Sequence, residues 1–300
     1  MERRSILFNR TLTLQGRKKM KNKLTISILL IILFFFNSCS SVSQNRTEII
    51  RIKGSDTMFG LTTVLAEEFM KTHDYISIYV EGGGTKEGIA ALIKEQADIA
   101  LASRLPSGNE TKLLADYYGS VGMFYLIAKD GIIIYVNNEN KINSLSTDQL
   151  KNIFLGNITN WEDLNGDKAN ITVINRPPNS GTHLYFKEHV LNDSNYTNKA
   201  IIRFTNKSVI TEINKNFNAI GYGSFAFVKN EEVKPLKINN IPPTEDNIRN
   251  DIYPLTRYLH FFTARSAKGS VKTFIDWVIS PEGQKIIKKH GFVPLWEVEF

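Results

Sequence analysis

The chain has 300 residues, of which 42% are hydrophobic and 22% charged, a composition that excludes a disordered or fibrous protein. Its formal charge of +7 at pH 7 lies entirely in residues 1–38, which hold eight basic side chains and one acidic side chain, so the rest of the chain lacks the basic excess of a nucleic-acid-binding protein. The single cysteine, Cys39, excludes an internal disulfide, a CxxC redox pair and a thiolate zinc cluster.

The N-terminal segment has the layout of a secretory signal peptide. Residues 24–36 are apolar except for Thr25 and Ser27, and basic side chains precede them. This run is too short to span a bilayer, which takes about 20 apolar residues. We therefore predict a signal peptide over residues 1–38, with translation starting at either Met1 or Met20.

Cys39 follows this segment directly, in the sequence Phe36-Asn37-Ser38-Cys39. The pattern resembles the lipobox of bacterial lipoproteins, in which the cysteine is diacylated and becomes the first residue of the mature protein. Two acyl chains hold a protein stably on a membrane, and the polar residues that follow are typical of a tether. The resemblance implies lipidation of Cys39, a lipid-anchored tether over residues 39–47, and an exported cell-membrane lipoprotein that faces the periplasm or the cell exterior. The alternative is a chance cysteine beside an ordinary signal peptidase site.

Strands and helices alternate after the tether. Short β-branched or apolar runs predict strands over 49–52, 76–80 and 97–102. Helical spacing of apolar residues predicts helices over 61–73 and 86–96. This repetition is typical of a parallel sheet, in which ligands bind at the loops that follow the carboxyl ends of the strands.

The second half of the chain continues the alternation. Residues 123–136 form an apolar run that is long enough for two strands or for one strand that crosses between domains, and Lys129, Asp130 and Gly131 interrupt it. Residues 230–254 are rich in proline, asparagine and charge, and predict a loop. The remaining predicted elements are helices over 146–154, from 182 onward and over 271–289, and strands over 171–174, 218–223 and 258–263.

Four polar loops share one chemistry. They are glycine-rich or carry hydroxyls, and at least three lead into a helix: residues 54–57, 82–85, 103–104, and 176 with 180–182. A helix N-terminus presents unpaired N–H groups and attracts anions, and an arginine fork fits a tetrahedral oxyanion. The set predicts an oxyanion site assembled from two domains. Each loop alone has a structural alternative as an N-cap, a plain turn or a surface arginine.

Several of these segments resemble the phosphate-binding protein of phosphate ABC transporters, within the periplasmic-binding-protein-like superfamily. The resemblance covers roughly residues 48 to 295, and its most specific part is the spacing Arg176-x-x-x-Ser180-Gly181-Thr182. The other matching segments are Lys53-Gly54-Ser55-Asp56-Thr57-Met58, the glycine loop 82–84, Ala97-Asp98-Ile99-Ala100-Leu101-Ala102-Ser103-Arg104, Ala219-Ile220-Gly221-Tyr222 and Phe274-Ile275-Asp276-Trp277-Val278-Ile279-Ser280-Pro281-Glu282-Gly283-Gln284.

The resemblance implies which residues bind phosphate. Many family members have an Asp where this chain has Arg104; that carboxylate accepts a hydrogen bond from protonated phosphate, whereas an arginine only donates. The alternative is that Arg104 turns outward and pairs with an acidic side chain such as Asp56. The implied phosphate-binding residues are Thr57, Met58 through its backbone N–H, Thr85, Ser103, Arg104, Arg176, Ser180, Gly181 and Thr182.

The resemblance also implies the fold. This is the α/β, two-domain type II periplasmic-binding-protein-like fold, with mixed sheets, helices on both faces and two crossing hinge strands. The first domain is expected to be discontinuous, over residues 48–133 and 227–300, and the second to cover 134–226. The first crossing is expected near 129–136 and the return near 226–234, so that the two domains close on the ligand like a hinge.

The implied function is non-catalytic: an extracytoplasmic binding protein captures inorganic phosphate in the interdomain cleft and delivers it to an ABC importer. The expected partners are phosphate and the permease and ATPase complex in the membrane, with no cofactor, metal or nucleic acid, and the protein is expected to be a monomer. A phosphatase or esterase is disfavoured, because His183 and His189 lie six residues apart and Ser180 lacks a G-x-S-x-G motif. A binding protein for sulfate or molybdate, and a phosphate sensor or adhesion module, stay open as alternatives.

Overall fold

The structure, a computed structural model, describes residues 47–228 and 233–299. The predicted signal peptide and nearly all of the predicted tether, with Cys39, lie outside the described residues. The described residues belong to one compact unit, Thr47–Phe300. Among them, no helix has the length and apolar character needed to cross a membrane.

The described residues form eleven strands. They are β1 (Glu48–Gly54), β2 (Ile76–Glu81), β3 (Ile99–Ala102), β4 (Met123–Asn137), β5 (Ser144–Leu145), β6 (Thr172–Asn175), β7 (Ile201–Ile202), β8 (Ala219–Ser224), β9 (Val233–Pro235), β10 (Lys237–Ile238) and β11 (Thr256–Thr263).

The helices lie between these strands and after the last one. They are α1 (Asp56–Met70), α2 (Thr85–Ile93), α3 (Gly108–Tyr118), α4 (Thr147–Leu155), α5 (Gly181–His189), α6 (Asn206–Lys215), α7 (Glu245–Arg249), α8 (Gly269–Ile279) and α9 (Pro281–Lys289), with short 3-10 turns at Trp161–Leu164 and Phe225–Phe227.

The main sheet is mixed and runs in the order β2-β1-β3-β11-β4-β8-β6-β7, with β9 also paired to β4. The predicted parallel arrangement holds for β1 with β2 and β3, and for β6 with β7 and β8. β11 is antiparallel to both β3 and β4, and β4 is antiparallel to β8 and β9. The carboxyl ends of β1, β2 and β3 therefore lie at the same end of the sheet, where the first three polar loops begin.

The long apolar run at 123–136 forms a single strand, β4, that serves both halves of the sheet. Its residues from Met123 to Gly131 pair with β11, and those from Ile132 to Val136 pair with β8. β4 is therefore the element that crosses from one half to the other. The predicted return near 226–234 falls partly on residues 229–232, which lie outside the described residues.

Apolar side chains bury two large cores. The first core lies between the sheet and helices α1, α8 and α9, and includes Phe69, Phe261 and Phe274. A small cluster on the opposite face of the same half of the sheet holds α2 and α3 in place. The second core lies around α4, α5 and α6 and includes residues of 233–255, such as Tyr253.

Three segments differ from their predicted form. The helix predicted over 271–289 is two helices, because Pro281 lacks an N–H group and holds Ser280 in an extended conformation. The loop predicted over 230–254 contains β9, β10 and α7. Helix α3 had no predicted counterpart, because only Leu114 is buried on it; the capping box of Ser107 and Glu110 marks where it begins.

Candidate oxyanion-binding site

The first polar loop turns from β1 directly into helix α1. Ser55 is the N-cap residue, yet its side chain makes no capping bond; its Oγ donates instead to Ser103 Oγ at 3.1 Å. Thr57 is buried in the first turn of α1. The Met58 N–H donates to the Ser55 carbonyl at 3.0 Å, and the Met58 side chain packs in the first core. The N-terminus of α1 therefore places the Thr57 hydroxyl beside the carboxyl end of β1.

Thr85 and Ser103 form a second pair of hydroxyls beside this turn. Thr85 is the first residue of α2, and Ser103 follows the last residue of β3. Their hydroxyl oxygens lie 3.2 Å apart, and the Ser103 N–H also donates to Thr85 Oγ1 at 3.2 Å. Both side chains are fully buried. With Ser55, they make a connected group of hydroxyls at the carboxyl ends of β1 and β3.

Helix α5 brings the fourth loop against these hydroxyls from the second core. Ser180 caps the helix by accepting from the His183 N–H at 3.4 Å. Gly181 packs so closely that an added Cβ would overlap the hydroxyl oxygens of Ser103 and Thr85. Thr182 Oγ1 lies 3.3 Å from Thr57 Oγ1. The predicted hydroxyls of both halves are therefore in contact, and three helix N-termini converge on them.

Arg176 is buried at the end of β6, with its guanidinium held from the second half of the chain. Its Nη2 donates to the Phe204 carbonyl at 2.7 Å, and its Nη1 donates to Asn206 Oδ1 at 3.3 Å. Its Nε has no hydrogen-bond partner among the described residues. Burial lowers the pKa of Arg176, while the nearby Tyr222 and Asp56 oppose the shift. A buried guanidinium with a free donor is suited to an anion.

Asp56 and the glycine loop complete the contact between the two halves. Asp56 Oδ1 accepts from the Gly83 N–H at 2.9 Å, and its Oδ2 lies 3.9 Å from Arg176 Nη2. Asn179 reaches across from the loop before α5 and donates to the Gly83 carbonyl at 2.9 Å. Gly83 has a φ of 116°, which favours glycine at this turn.

Arg104 pairs with a carboxylate on α3, and its Nε has no hydrogen-bond partner among the described residues. Its two Nη atoms donate to the two carboxylate oxygens of Glu110, each at 2.8 Å, and Nη1 also donates to the Leu105 carbonyl at 2.7 Å. Pairing with an acidic side chain is the alternative that the sequence left open, with Glu110 as the partner in place of Asp56. The bidentate match between a guanidinium and a carboxylate on α3 accounts for the direction. A ligand role for Arg104 stays a prediction.

Sequence reasoning missed one charged pair at this site, Asp130 and Arg257. Both side chains are 1% exposed, and Asp130 Oδ2 accepts from Arg257 Nε at 3.0 Å and from Nη2 at 2.8 Å. Arg257 also donates from Nη1 to Thr182 Oγ1 at 2.9 Å and from Nη2 to Thr57 Oγ1 at 3.4 Å. In the sequence, Asp130 interrupts the apolar run at 123–136, but Arg257 lies just before the strand predicted over 258–263, so only Asp130 gave a signal.

A cavity of about 400 Å³ opens beside the hydroxyls. The residues that line it include Ser103, Arg104, Tyr185, His189 and Arg257. The cavity therefore borders the candidate site at Ser103 and Arg257. No group of His, Cys, Asp and Glu able to hold a metal ion occurs within the part of the chain that the structure describes.

Comparison with known proteins gives one family and a consistent set of relatives. The family model for the PBP superfamily domain matches residues 41–282. The phosphate-binding protein PstS of Bacillus subtilis is 29% identical over 268 residues, which cover 88% of this chain and 86% of the relative. PstS of Borreliella burgdorferi is 28% identical over 278 residues, which cover 88% of this chain and 97% of the relative.

Solved structures give the same picture. A putative phosphate ABC transporter substrate-binding protein with bound phosphate, from Clostridium perfringens, matches with a TM-score of 0.75 and 29% identity, covering 83% of this chain and 100% of that one. An ABC-type phosphate transport receptor from Vibrio cholerae matches with a TM-score of 0.71 and 30% identity, covering 82% and 100%. These likenesses confirm the predicted α/β architecture, with two domains of the type II periplasmic-binding-protein kind. They also confirm the resemblance to the phosphate-binding proteins of phosphate ABC transporters.

Proposed function

We propose a function for this chain from the premise that it belongs to the PBP superfamily. It is an extracytoplasmic protein that captures inorganic phosphate between its two domains and delivers it to an ABC importer. One observation carries the proposal: the buried hydroxyls of Thr57, Thr85, Ser103 and Thr182 meet where three helices begin. The name of the Bacillus subtilis relative and the phosphate bound in the Clostridium perfringens structure support the choice of ligand.

The binding mode follows from the donors at this place. Helices α1, α2 and α5 direct their unpaired N–H groups and positive dipole ends towards the hydroxyls, which favours a negative ligand. Hydroxyls donate or accept as the protonation of phosphate requires. Arg176 adds a positive charge from the second domain. The residues proposed to bind phosphate are therefore those expected from the resemblance, with Arg104 the one that lies turned towards another partner.

The domain boundaries follow from the cores. We propose that the crossing between the domains lies in β4 near Gly131 and Ile132, where pairing with β11 ends and pairing with β8 begins. Residues 233–255 contribute apolar side chains to the second core, which supports a second domain that extends to about residue 255 in addition to the predicted 134–226.

Calorimetry tests the proposed ligand. The protein from Ser40 onward is titrated with phosphate, sulfate and molybdate at one pH and salt concentration. We expect phosphate to bind most tightly, in the micromolar range or better, which corresponds to about 8 kcal/mol. Tighter binding of sulfate or molybdate would replace phosphate with that oxyanion. Hydrolysis of a chromogenic phosphate ester by the same preparation would contradict a purely binding role.

Delivery to an importer has its own test. Cells that lack this protein should lose high-affinity phosphate uptake and regain it when the protein is restored. Restored binding without restored uptake would favour a sensor or adhesion role.

Anchoring through Cys39 is a further part of the proposal, supported by the leader that precedes it. Cys39→Ala should leave phosphate binding intact and move the protein from the membrane fraction to the soluble fraction, because the two acyl chains are lost. The measurement is fractionation after a high-salt wash. A mutant that stays with the membrane would exclude lipidation as the anchor.

A further inference from the structure

Arg257 lies at the site although no motif in the sequence points to it. It is on β11, in the middle of the sheet, and its side chain is 1% exposed. Its Nη1 and Nη2 donate to the Thr182 and Thr57 hydroxyls, one from each domain. A guanidinium carries a positive charge and N–H donors, and it has no acceptor. It therefore directs positive charge at the two hydroxyls that are proposed to bind phosphate.

Asp130 fixes the direction of this guanidinium. Its Oδ2 accepts from the Nε–Nη2 edge of Arg257. Its Oδ1 accepts from Ser224 Oγ at 2.7 Å and from the Phe225 N–H at 3.1 Å. One edge of Arg257 and both carboxylate oxygens are thus occupied within the protein. The other edge, Nη1–Nη2, faces only hydroxyls, which can exchange partners with an entering anion.

Donation from the Nη1–Nη2 edge of Arg257 determines where the hydroxyls of Thr57 and Thr182 can direct their own protons. An oxygen that accepts from Arg257 directs its own O–H elsewhere. Of the two O–H groups of Thr57 and Thr182, one can donate to the other hydroxyl, 3.3 Å away, and one is left to donate to a ligand. Burial is the largest cause that lowers the pKa of Arg176, and the positive charge of Arg257 adds to it. Like charges held in a buried place repel, and an anion between them relieves the repulsion.

We infer that Arg257 is a second arginine of the oxyanion site, which donates from its Nη1–Nη2 edge to the bound phosphate, and that Asp130 positions it. This assignment rests on the proposed function and adds a ligand-contacting residue to it. It places positive charge on a strand of the sheet, in addition to the helix N-termini and Arg176. The site therefore holds a doubly charged oxyanion between guanidinium groups from two different elements.

The experiment separates a contact with the ligand from a purely structural ion pair. Arg257→Gln should weaken phosphate binding about ten- to a hundredfold, the usual effect of losing charge-assisted hydrogen bonds. The single change also leaves Asp130 buried without its partner, which is destabilising by itself. The double change Asp130→Asn with Arg257→Gln removes both charges and restores a neutral hydrogen-bonded pair. Thermal unfolding without phosphate and calorimetry with phosphate are measured for each variant.

A ligand contact predicts that the double variant regains melting temperature but keeps the weakened affinity. Affinity within about twofold of the parent protein in the folded double variant would overturn the inference and leave the proposed function standing. If both variants fail to fold, Arg257→Lys is measured instead, because it keeps the charge but loses the planar fork. The same phosphate affinity as the parent protein then overturns the inference, and a weaker affinity supports it.

Arg51→Gln is the matched control, because Arg51 also forks onto an aspartate, Asp98, but with a half-exposed side chain. It should bind phosphate as the parent does. If the parent protein binds sulfate or molybdate in place of phosphate, the proposed ligand changes to that anion. The same variants then test whether Arg257 contacts it. A parent that binds none of the three overturns both the inference and the proposed function.

Discussion

At the scale of single residues, the hydroxyls of the site satisfy one another. Ser55 donates to Ser103, Ser103 lies against Thr85, and Thr57 lies against Thr182. Because a hydroxyl both donates and accepts, each can pass a hydrogen bond to an oxyanion without leaving a buried polar atom unpaired. Small side chains at these positions also let the two domains approach closely. Gly181 is the smallest of them, and its lack of a Cβ allows this approach.

Gly181→Ala should weaken phosphate binding by at least about tenfold. An added Cβ would overlap the Ser103 and Thr85 hydroxyl oxygens, so α5 would have to move away from α2 and β3. A tenfold loss corresponds to about 1.4 kcal/mol. Calorimetry with phosphate measures it. The control is Gly60→Ala in α1, where the added Cβ meets no atom within 4 Å apart from the backbone of its own helix. Equal affinities of the two variants would contradict a tight closure at Gly181.

Arg176→Ala should lower phosphate affinity at least about tenfold, because charge-assisted hydrogen bonds contribute about 1.5–3 kcal/mol. The fold should survive, since the change removes a buried charge whose Nε has no partner among the described residues. Calorimetry and thermal unfolding are the two measurements. Arg203→Ala, which removes an arginine that pairs with Glu212, should leave the affinity unchanged. An affinity equal to the parent's in Arg176→Ala would place Arg176 outside the site.

At the scale of elements, the ends of helices determine what the site can do. α1, α2 and α5 begin at the site, and α5 is capped by Ser180. α3 begins nearby at a capping box, in which Ser107 accepts from the Glu110 N–H and Glu110 accepts from the Ser107 N–H. Glu110 also holds Arg104. One carboxylate therefore both caps α3 and pairs with the Arg104 guanidinium.

Glu110→Ala should lower the free energy of unfolding by several kcal/mol, more than the roughly 1 kcal/mol expected for Ser107→Ala. Both changes remove the capping box, but only the first leaves Arg104 as a buried charge without its carboxylate. Burial alone would raise the pKa of Glu110, yet hydrogen bonds from Arg104 and Ser107 hold it below its usual range. Denaturant unfolding measures both losses. Equal losses would mean that the ion pair adds no stability.

The sequence predicted elements well where a pattern repeats and poorly where a single contact decides. β1, β2 and β3 appeared as apolar runs, and Ser180-Gly181-Thr182 appeared at the start of α5. The direction of Arg104 could not be predicted, because it depends on Glu110 across a turn. Arg257 could not be placed, because its partner Asp130 is 127 positions away and only the pairing of β11 with β4 brings them together.

At the scale of the whole molecule, one buried histidine, His183, and one half-buried histidine, His260, have lowered pKa values. His183 is on α5, where Nδ1 lies 3.2 Å from Asn175 Oδ1, and His260 is on β11. Burial lowers the pKa of each from 6.5 to about 4. The folded state therefore keeps both neutral at a pH where the unfolded chain already binds protons.

The free energy of unfolding should consequently fall as the pH drops from 6.5 towards 4, and these two groups should have no effect above that range. Each contributes a slope of at most about 1.4 kcal/mol per pH unit. His183→Gln and His260→Gln should each reduce the slope relative to the parent, measured by urea unfolding at several pH values. His290→Gln, at an exposed position, is the control. Parallel curves for all four proteins would show that neither His183 nor His260 is responsible.

The continuous β4 strand has a kinetic consequence. Its ladder with β11 ends at Gly131 and its ladder with β8 begins at Ile132, so both ladders can stay intact while the strand bends between them. Separating the domains then breaks the contacts among the site's side chains and leaves the sheet's backbone bonds in place. Amide protons on both sides of the bend should exchange with solvent equally slowly with and without ligand. The residence time of a bound anion is then set by the side-chain contacts across the cleft and is independent of the strength of the sheet.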